Sequence, residues 1–118
     1  MTTRAAANLD AKFVALADPT RRRVIEALRR GELRAGELAA IVDMTPPALS
    51  RHLRVLRRAG LVVDHGSSED ARVRLYRVEP GAFGRVRAWL DDVEEFWGDQ
   101  LQAFKAHAEG TMRGRRSR

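Results

Sequence analysis

The stretch that most constrains the fold of this chain is residues 45–60, which read T-P-P-A-L-S-R-H-L-R-V-L-R-R-A-G. Thr45 can cap the first turn of a helix, and Pro46 stands where a missing N–H group costs nothing. Gly60 can end the same helix in a left-handed conformation. The sequence therefore predicts a helix from Pro46 to about Arg58, which we call the basic helix.

The basic helix has two unlike faces. At 100° per residue, Leu49, Leu53 and Leu56 form an apolar stripe that is expected to pack against a core. The opposite face has no acidic residue; it holds Pro47, Arg51, Arg54 and Arg58, flanked by Ser50 and Arg57. Guanidinium groups are always charged and donate in pairs to phosphates and guanine edges, so this face suits nucleic acid. A solvated basic surface is the alternative.

Length and composition set the broad class of the protein. With 118 residues, 44% of them hydrophobic, the chain is long enough for one folded domain with a modest core. No apolar run approaches the roughly 18 residues of a membrane span, and the N-terminus lacks the hydrophobic segment of a secretion signal. We therefore predict a soluble, cytoplasmic protein with no membrane partner. The absence of cysteine excludes disulfides, thiolate metal ligands and thiol redox sensing.

The net charge of +6 is unevenly distributed along the chain. Residues 1–60 contain twelve Lys and Arg against six Asp and Glu, and residues 110–118 contain four against none. Residues 81–109 have the opposite balance, with three basic and six acidic residues. This polarity predicts an acidic polymer as the partner of the basic half, and double-stranded DNA fits better than a membrane surface.

The region before the basic helix is predicted to contain three more helices. Apolar residues at helical spacing predict the first over residues 9–17. Asp18 and Pro19 form a helix start, and the second helix runs from there to about residue 30. Its first turn holds a run of three arginines, where cations oppose the helix dipole. A DNA phosphate near Arg22 would compensate this charge, and ordinary surface charge is the alternative.

The third predicted helix, over residues 35–42, is joined to the basic helix by a three-residue turn, which is the helix-turn-helix pattern. After the basic helix the periodicity becomes strand-like, with one strand starting at Leu61 and another over residues 72–78. A turn-rich segment over residues 66–70 connects them. The sequence thus predicts a β-hairpin wing, with Tyr76 packing on the helices and a bulge allowed near it.

A long last helix is predicted over residues 81–108. Its apolar residues form two adjacent stripes, which together are wider than a domain of this size covers by itself. We therefore predict a homodimer that pairs the terminal helices of two chains. The predicted interface consists of Leu9, Phe13, Trp89, Leu90, Val93, Phe96, Trp97, Leu101 and Phe104. The alternative is that these aromatic residues complete the core of a monomer.

Four blocks of the sequence occur in an order typical of a known family. They are A-L-A-D-P-T-R-R-R-V-I-E-A-L, G-E-L-A, L-S-R-H-L-R-V-L-R-R-A-G-L-V and R-L-Y-R-V-E-P. From about Phe13 to the end of the wing, the chain resembles the ArsR/SmtB family of bacterial winged helix-turn-helix repressors. The W-L-D-D-V-E-E-F-W that follows is similar to the metal-independent, autorepressor-like branch. The resemblance implies a mainly α fold with a small β-hairpin: four helices, two strands and a terminal helix.

The resemblance also implies a function. The expected protein is a dimer that binds a pseudo-palindromic operator, with the basic helix in the major groove and the wing along the backbone or minor groove. The DNA-contacting positions of the family fall on Pro47, Ser50 and Arg51, and its wing positions fall on Arg72 and Arg74. The full predicted DNA-binding set, to which helical geometry adds Arg54, is Thr45, Pro47, Ser50, Arg51, Arg54, Arg57, Arg58, Arg72, Arg74 and Arg22.

The chain departs from the family pattern in two places. Arg34 and Gly36 stand where metal-sensing members have a Cys-x-Cys pair, so that thiolate site is absent. Three acidic residues and a histidine occupy wing positions where relatives are often basic: Asp64, His65, Glu69 and Asp70. We therefore expect DNA contacts from the arginines of the wing strands, without deep insertion of the wing tip into the minor groove.

Neither a metal site nor a catalytic site is predicted. The acidic last helix has a single histidine, His107, whereas transition metals usually require several converging ligands. Ser50 and His52 are two residues apart on one helix and point in different directions, so they cannot form a nucleophile–base pair. His52 is expected to pack or hydrogen-bond at the edge of the buried stripe, with a DNA-phosphate contact as the alternative. His65 is expected to lie exposed on the wing.

The sequence therefore predicts a DNA-binding transcriptional regulator without a cofactor, and the resemblance makes it a repressor. The predicted organisation is an N-terminal tail over residues 1–8, one domain over residues 9–109 with its dimerisation helix at 81–108, and a disordered basic tail over residues 110–118. A winged-helix module for protein interaction or RNA binding is the alternative. The sequence specifies neither the operator nor a small-molecule inducer, and autoregulation is not visible in it.

Overall fold

The computed structural model describes the backbone of residues 2–116 and the side-chain surroundings of residues 8–112. The elements of this part of the chain are α1 (Thr2–Leu16), α2 (Pro19–Ala27), a 3-10 helix (Leu28–Arg30), β1 (Leu33–Arg34), α3 (Ala35–Ile41), α4 (Pro46–Arg58), β2 (Val62–Gly66), β3 (Arg74–Val78) and α5 (Gly84–Arg116). Two compact units divide after Phe83. The first contains α1–α4 and the strands, and the second consists of α5.

Helix α4 begins and ends where the sequence predicts. The Oγ1 of Thr45 accepts a hydrogen bond from the Ala48 N–H at 3.4 Å, and two prolines follow the cap. At the other end, Gly60 has a φ of +76°. Its N–H donates to the Arg57 carbonyl, and the next N–H, of Leu61, donates to the carbonyl of residue 56, both at 3.0 Å. These two bonds form a Schellman motif, which satisfies the last carbonyls of the helix.

The core of the first unit forms where α4 packs its apolar stripe. Leu49, Leu53 and Leu56 are at most 4% exposed, as the sequence predicts. The other members of the same cluster that are at most 3% exposed are Ala15, Val24, Leu28, Leu38, Val42, Leu61 and Val62. Burying one leucine is worth about 1.5–3 kcal/mol relative to exposure, so this stripe fixes which face of α4 points outward.

The sheet has three antiparallel strands in the order β1-β3-β2. The wing pair runs without a break from Val62 opposite Val78 to Gly66 opposite Arg74, so the pairing contains no bulge at Tyr76. Tyr76 is half-buried against the core, as predicted. The sequence did not predict β1, because a strand of two residues has no periodicity from which it could be recognised.

The terminal helices are longer than the sequence predicts. Helix α1 begins at Thr2, so the region predicted as an N-terminal tail is helical from that residue. Helix α5 begins at Gly84, three residues later than predicted, after a turn in which Gly81 has a φ of +74°. It then continues to Arg116, through most of the segment predicted as a disordered tail. The extension of α1 contains three consecutive alanines, and that of α5 contains three arginines that can offset its two glycines. Alanine and arginine propagate a helix once it has started.

The α5 helix forms the second unit. It has 33 residues and is therefore about 50 Å long. Within residues 2–116, no helix is both long enough and apolar enough to cross a membrane.

Candidate nucleic-acid interface

The outward face of α4 presents three arginines to solvent. Arg51, Arg54 and Arg58 are exposed, and none of them has a hydrogen bond or ion pair with another residue described by the structure. Pro47 and Ser50 are exposed on the same helix. Because the leucine stripe holds the other side of α4 in the core, these guanidinium groups keep all of their donors available. We call Arg51, Arg54 and Arg58 the open arginine face.

The fourth arginine of α4 is held by the wing. The Nη1 atom of Arg57 donates to Asp64 Oδ1 at 3.1 Å, and Nε of Arg74 donates to Asp64 Oδ2 at 3.0 Å. One carboxylate on β2 therefore joins α4 to β3, and we call Arg57, Asp64 and Arg74 the wing bridge. Partial burial acts to raise the pKa of Asp64, but the hydrogen bonds and charges of the two arginines outweigh it and hold that pKa below its ordinary value.

The other wing arginine of the predicted DNA-binding set is paired at the hairpin tip. Arg72 donates from Nε to Asp70 Oδ1 at 3.2 Å and from Nη2 to Oδ2 at 3.3 Å. The backbone N–H of Arg72 and then its side chain lower the pKa of Asp70. The side chain of Arg72 is 92% exposed, and pairs of this kind are weakly held because water competes for both partners. Three arginines of the predicted DNA-binding set therefore have acidic partners within the protein, namely Arg57, Arg72 and Arg74.

The arginine run at the start of α2 binds backbone carbonyls of neighbouring helices. Arg21 and Arg22 donate to the last carbonyls of α1, those of Val14, Ala15 and Leu16, at 2.6–3.1 Å. Arg23 donates to the Val42 carbonyl at 2.7 Å, after the end of α3. These carbonyls carry the negative end of a helix dipole, so the run has structural partners without any phosphate. A DNA contact by Arg22 remains a prediction.

A buried lysine of α1 supports the end of α4, and a histidine of α4 itself contacts α2. Lys12 of α1 is 9% exposed, and its Nζ donates to the Ala59 carbonyl at 2.7 Å, at the C-terminal cap of α4. Sequence reasoning missed it, because its partner is 47 residues away in the chain. His52 is half-buried with Nδ1 3.4 Å from Arg21 Nη1, in line with the expected packing or hydrogen-bonding role.

His65 on β2 is less exposed than the sequence predicts. Its Nε2 lies 2.8 Å from Glu32 Oε1, and its Nδ1 lies 3.0 Å from the Gly66 carbonyl. Glu32 directly precedes β1, and β1 and β2 lie on opposite sides of β3, so this contact joins the two edges of the sheet. The prediction of an exposed His65 therefore missed the two contacts that its ring makes within the protein.

The residues predicted to form a dimer interface are mostly exposed. Leu9 and Phe13 on α1 and Val93 on α5 are half-buried. The others are 44–72% exposed, namely Trp89, Leu90, Phe96, Trp97, Leu101 and Phe104. The rings of Phe96 and Trp97 meet edge to face, with centroids 5.9 Å apart. Large apolar side chains in this number on one helix form a patch of the kind that marks an interaction surface.

Comparison with known proteins decides the family. The sequence pattern of the bacterial regulatory proteins of the arsR family matches residues 18–63. The chain is 37% identical over 95 residues to the HTH-type transcriptional regulator Rv2034 of Mycobacterium tuberculosis, which covers 80% of this chain and 83% of that protein. A crystal structure of an ArsR family transcriptional regulator superimposes with a TM-score of 0.70 and 38% identity, covering 79% of this chain and 93% of that one.

The chain belongs to the ArsR family. It is thus a member of a family of DNA-binding transcriptional regulators, as the sequence resemblance indicated.

Two further relatives of this ArsR protein are informative. The transcriptional repressor SdpR of Bacillus subtilis is 38% identical over 53 residues, or 45% of this chain and 59% of that protein. A homodimeric winged helix-turn-helix DNA-binding domain from Mycobacterium bovis superimposes with a TM-score of 0.58 at 21% identity, covering 80% of this chain and 84% of that one. The second likeness establishes the winged helix-turn-helix fold.

The family match coincides with part of the interface described above. Residues 18–63 include α2, α3 and the whole of α4, and they end inside β2. The open arginine face thus lies within the matched segment of this ArsR protein, whereas Arg72, Arg74 and the α5 surface lie outside it. Among the residues that the structure describes, no three His, Asp or Glu side chains converge in a way that could hold a metal ion. Membership of the metal-independent branch stays a prediction.

Proposed function

We propose that this ArsR-family regulator is a repressor that binds a pseudo-palindromic operator as a homodimer, with α4 as its recognition helix. The observation that carries this proposal is the open arginine face. Three guanidinium groups with no partner among the described residues stand on a helix whose caps and buried leucines hold it in place. Fixed donors of this kind suit phosphates and guanine edges, because no internal pair must be broken before they bind.

The proposed docking follows from the direction of α4. In helix-turn-helix proteins the N-terminal residues of the recognition helix contact base edges in the major groove. Pro47, Ser50 and Arg51 stand near that end of α4 and are proposed to meet the bases. Arg58 is two turns further along and is proposed to contact the phosphate backbone, with Arg54 between the two roles.

A homodimer is proposed from the apolar surface of α5. Six large side chains at least 44% exposed are costly to leave in water, and pairing with a second copy would cover them. The similar Mycobacterium bovis domain is described as homodimeric, which supports the same assembly here. A two-fold dimer presents two recognition helices to half-sites roughly 34 Å apart.

Repression is proposed to follow from occupancy of promoter DNA. Such a protein acts in the cytoplasm, where bacterial promoters are, and needs no catalytic step. The similarity to the repressor SdpR supports this mode of action. No inducer is proposed.

The test is capture of fragmented DNA from the source genome by purified protein, followed by sequencing and by fluorescence anisotropy on the enriched fragments. The DNA upstream of the protein's own coding sequence is measured in parallel, and a random duplex of equal length is the competitor. We expect enrichment of an inverted repeat. With about six phosphates neutralised, we also expect a roughly thousandfold loss of affinity between about 50 and 200 mM salt.

The competing uses of the fold predict different results. A protein-interaction module would show no enriched sequence and little salt dependence. An RNA-binding module would bind a single-stranded RNA of the same sequence at least as tightly as the duplex. Either result would overturn the repressor proposal.

A further inference from the structure

The wing bridge connects two parts of the proposed DNA interface through one side chain. Asp64 lies on β2, and each of its two oxygens accepts a hydrogen bond from a different element, from Arg57 on α4 and from Arg74 on β3. Its side chain is only 18% exposed, whereas those of the two arginines are 43% and 48% exposed. The carboxylate is thus set behind the two guanidinium groups, which remain open to solvent.

Each arginine uses only one edge of its guanidinium group in this arrangement. Arg57 donates through Nη1 and Arg74 through Nε, and their other N–H groups have no partner among the residues that the structure describes. A guanidinium group has five donors, so both side chains keep several for an external oxygen. Partial burial acts to raise the pKa of Asp64, but the hydrogen bonds and charges of the two arginines outweigh it, so the carboxylate is ionised at neutral pH. The bridge therefore persists at neutral pH.

We propose that Asp64 is a positioning residue for DNA recognition, which holds Arg57 and Arg74 so that both reach the DNA backbone only when α4 is seated on its operator. This inference rests on the proposed function. Phosphate contacts set the register and orientation of a protein on DNA. Two arginines anchored to one carboxylate impose a single register, whereas two loose arginines adapt to any stretch of backbone.

An opposite role for the same carboxylate makes a different prediction. If Asp64 only masked positive charge, its removal would strengthen binding to every DNA sequence by the same factor. If it positions the arginines, its removal strengthens binding to random DNA and weakens binding to the operator. The ratio of the two affinities therefore separates the two roles.

The decisive experiment compares Asp64→Asn with Glu69→Gln in the full-length protein. Both variants remove one negative charge from the wing. The carboxylate of Glu69 at the hairpin tip contacts no arginine among the described residues, so it is the matched control. The probes are an operator duplex, obtained by the genomic capture above, and a random duplex of equal length.

We expect Asp64→Asn to lower the operator-to-random affinity ratio about fivefold or more, whereas Glu69→Gln leaves that ratio unchanged. Asp64→Glu keeps a carboxylate and is expected to restore most of the ratio. A parallel rise of both affinities in Asp64→Asn, equal to that of the control, would overturn the proposal.

A variant cycle shows whether Asp64 acts through the two arginines. In the background Arg57→Ala, Arg74→Ala, the further change Asp64→Asn should leave the affinity ratio as it is. If the ratio still falls in that background, Asp64 acts on folding or on DNA directly, and the positioning role is wrong. Wild-type protein that fails to distinguish the operator from random DNA would instead contradict the proposed function itself.

Discussion

Helix α4, the proposed recognition helix, and the wing carry predicted DNA-contacting arginines in opposite states. On α4, the open arginine face has no partner within the described protein. In the wing, Arg72 and Arg74 are each held by a carboxylate, and the wing also holds Arg57 of α4. Arginines of equal formal charge therefore differ in how many N–H donors they have available for a ligand. We infer that the arginines of α4 can bind DNA without first breaking an internal pair, whereas those of the wing bind in a geometry that their carboxylate partners already constrain.

The largest effect is expected from a variant that disrupts the proposed dimer, because operator binding by α4 and by the wing both depend on it. Trp97→Glu places a charge in the proposed α5 interface, where pairing would bury it at high cost. We expect a monomer in sedimentation velocity and a loss of tight operator binding. Gln102→Glu adds the same charge about 140° around the helix and should remain dimeric. Dimers of the Trp97 variant would mean that the interface lies elsewhere.

The second effect tests the open arginine face directly. We expect Arg51→Ala and Arg54→Ala each to weaken operator binding by roughly 1–3 kcal/mol if the arginine reads a base. Arg29→Ala removes an equal charge from an exposed surface pair with Glu26 and serves as the control. Anisotropy titrations that give unchanged operator affinity in both α4 variants would remove these residues from the site.

A smaller effect compares two neighbours on α4. Arg58 belongs to the open arginine face and Arg57 to the wing bridge. We expect Arg58→Ala to weaken operator and random DNA alike and to reduce the logarithmic salt slope by about 1. Arg57→Ala should in addition lower discrimination between the two duplexes, because it breaks the bridge. Equal affinity ratios and salt slopes in the two variants would show that open and paired arginines do not differ in DNA binding.

The smallest expected effect concerns acid. The pKa of Asp64 is lowered in the folded protein, so its bridge stabilises the fold above the ordinary carboxylate range and is lost as the pH falls below about 4. Thermal unfolding followed by circular dichroism between about pH 3 and 7 should show a shallower acid decline in Asp64→Asn than in wild type. Equal acid declines would show that the bridge contributes nothing measurable to stability.

The sequence was sufficient where structure is decided locally. The bounds of α4 follow from Thr45, Pro46 and Gly60, which lie within one helix length of each other, and the inward stripe follows from leucine spacing alone. The family resemblance was equally informative, because its blocks surround these same residues. The exposed positions of the three open arginines could therefore be predicted residue by residue.

The parts that sequence reasoning missed depend on contacts between distant residues. Lys12 meets the end of α4 only after the chain has folded, and β1 exists only because β3 lies beside it. The wing acids were noticed as a departure from the family, but nothing in the sequence indicated that Asp64 would bind two arginines on different elements. The start of α1 and the end of α5 were misplaced because apolar spacing stops before helix formation does.

The turn after α4 also bears on how this chain can vary among its relatives. Gly60 adopts a φ of +76°, and a Cβ built there would lie 3.0 Å from the Nζ of Lys12, which is held by its bond to the Ala59 carbonyl. A side chain at position 60 would thus meet both backbone strain and a lysine with little freedom to move away. In an alignment of sequences we expect positions 12 and 60 to change together, with a shorter residue at 12 accompanying any departure from glycine at 60.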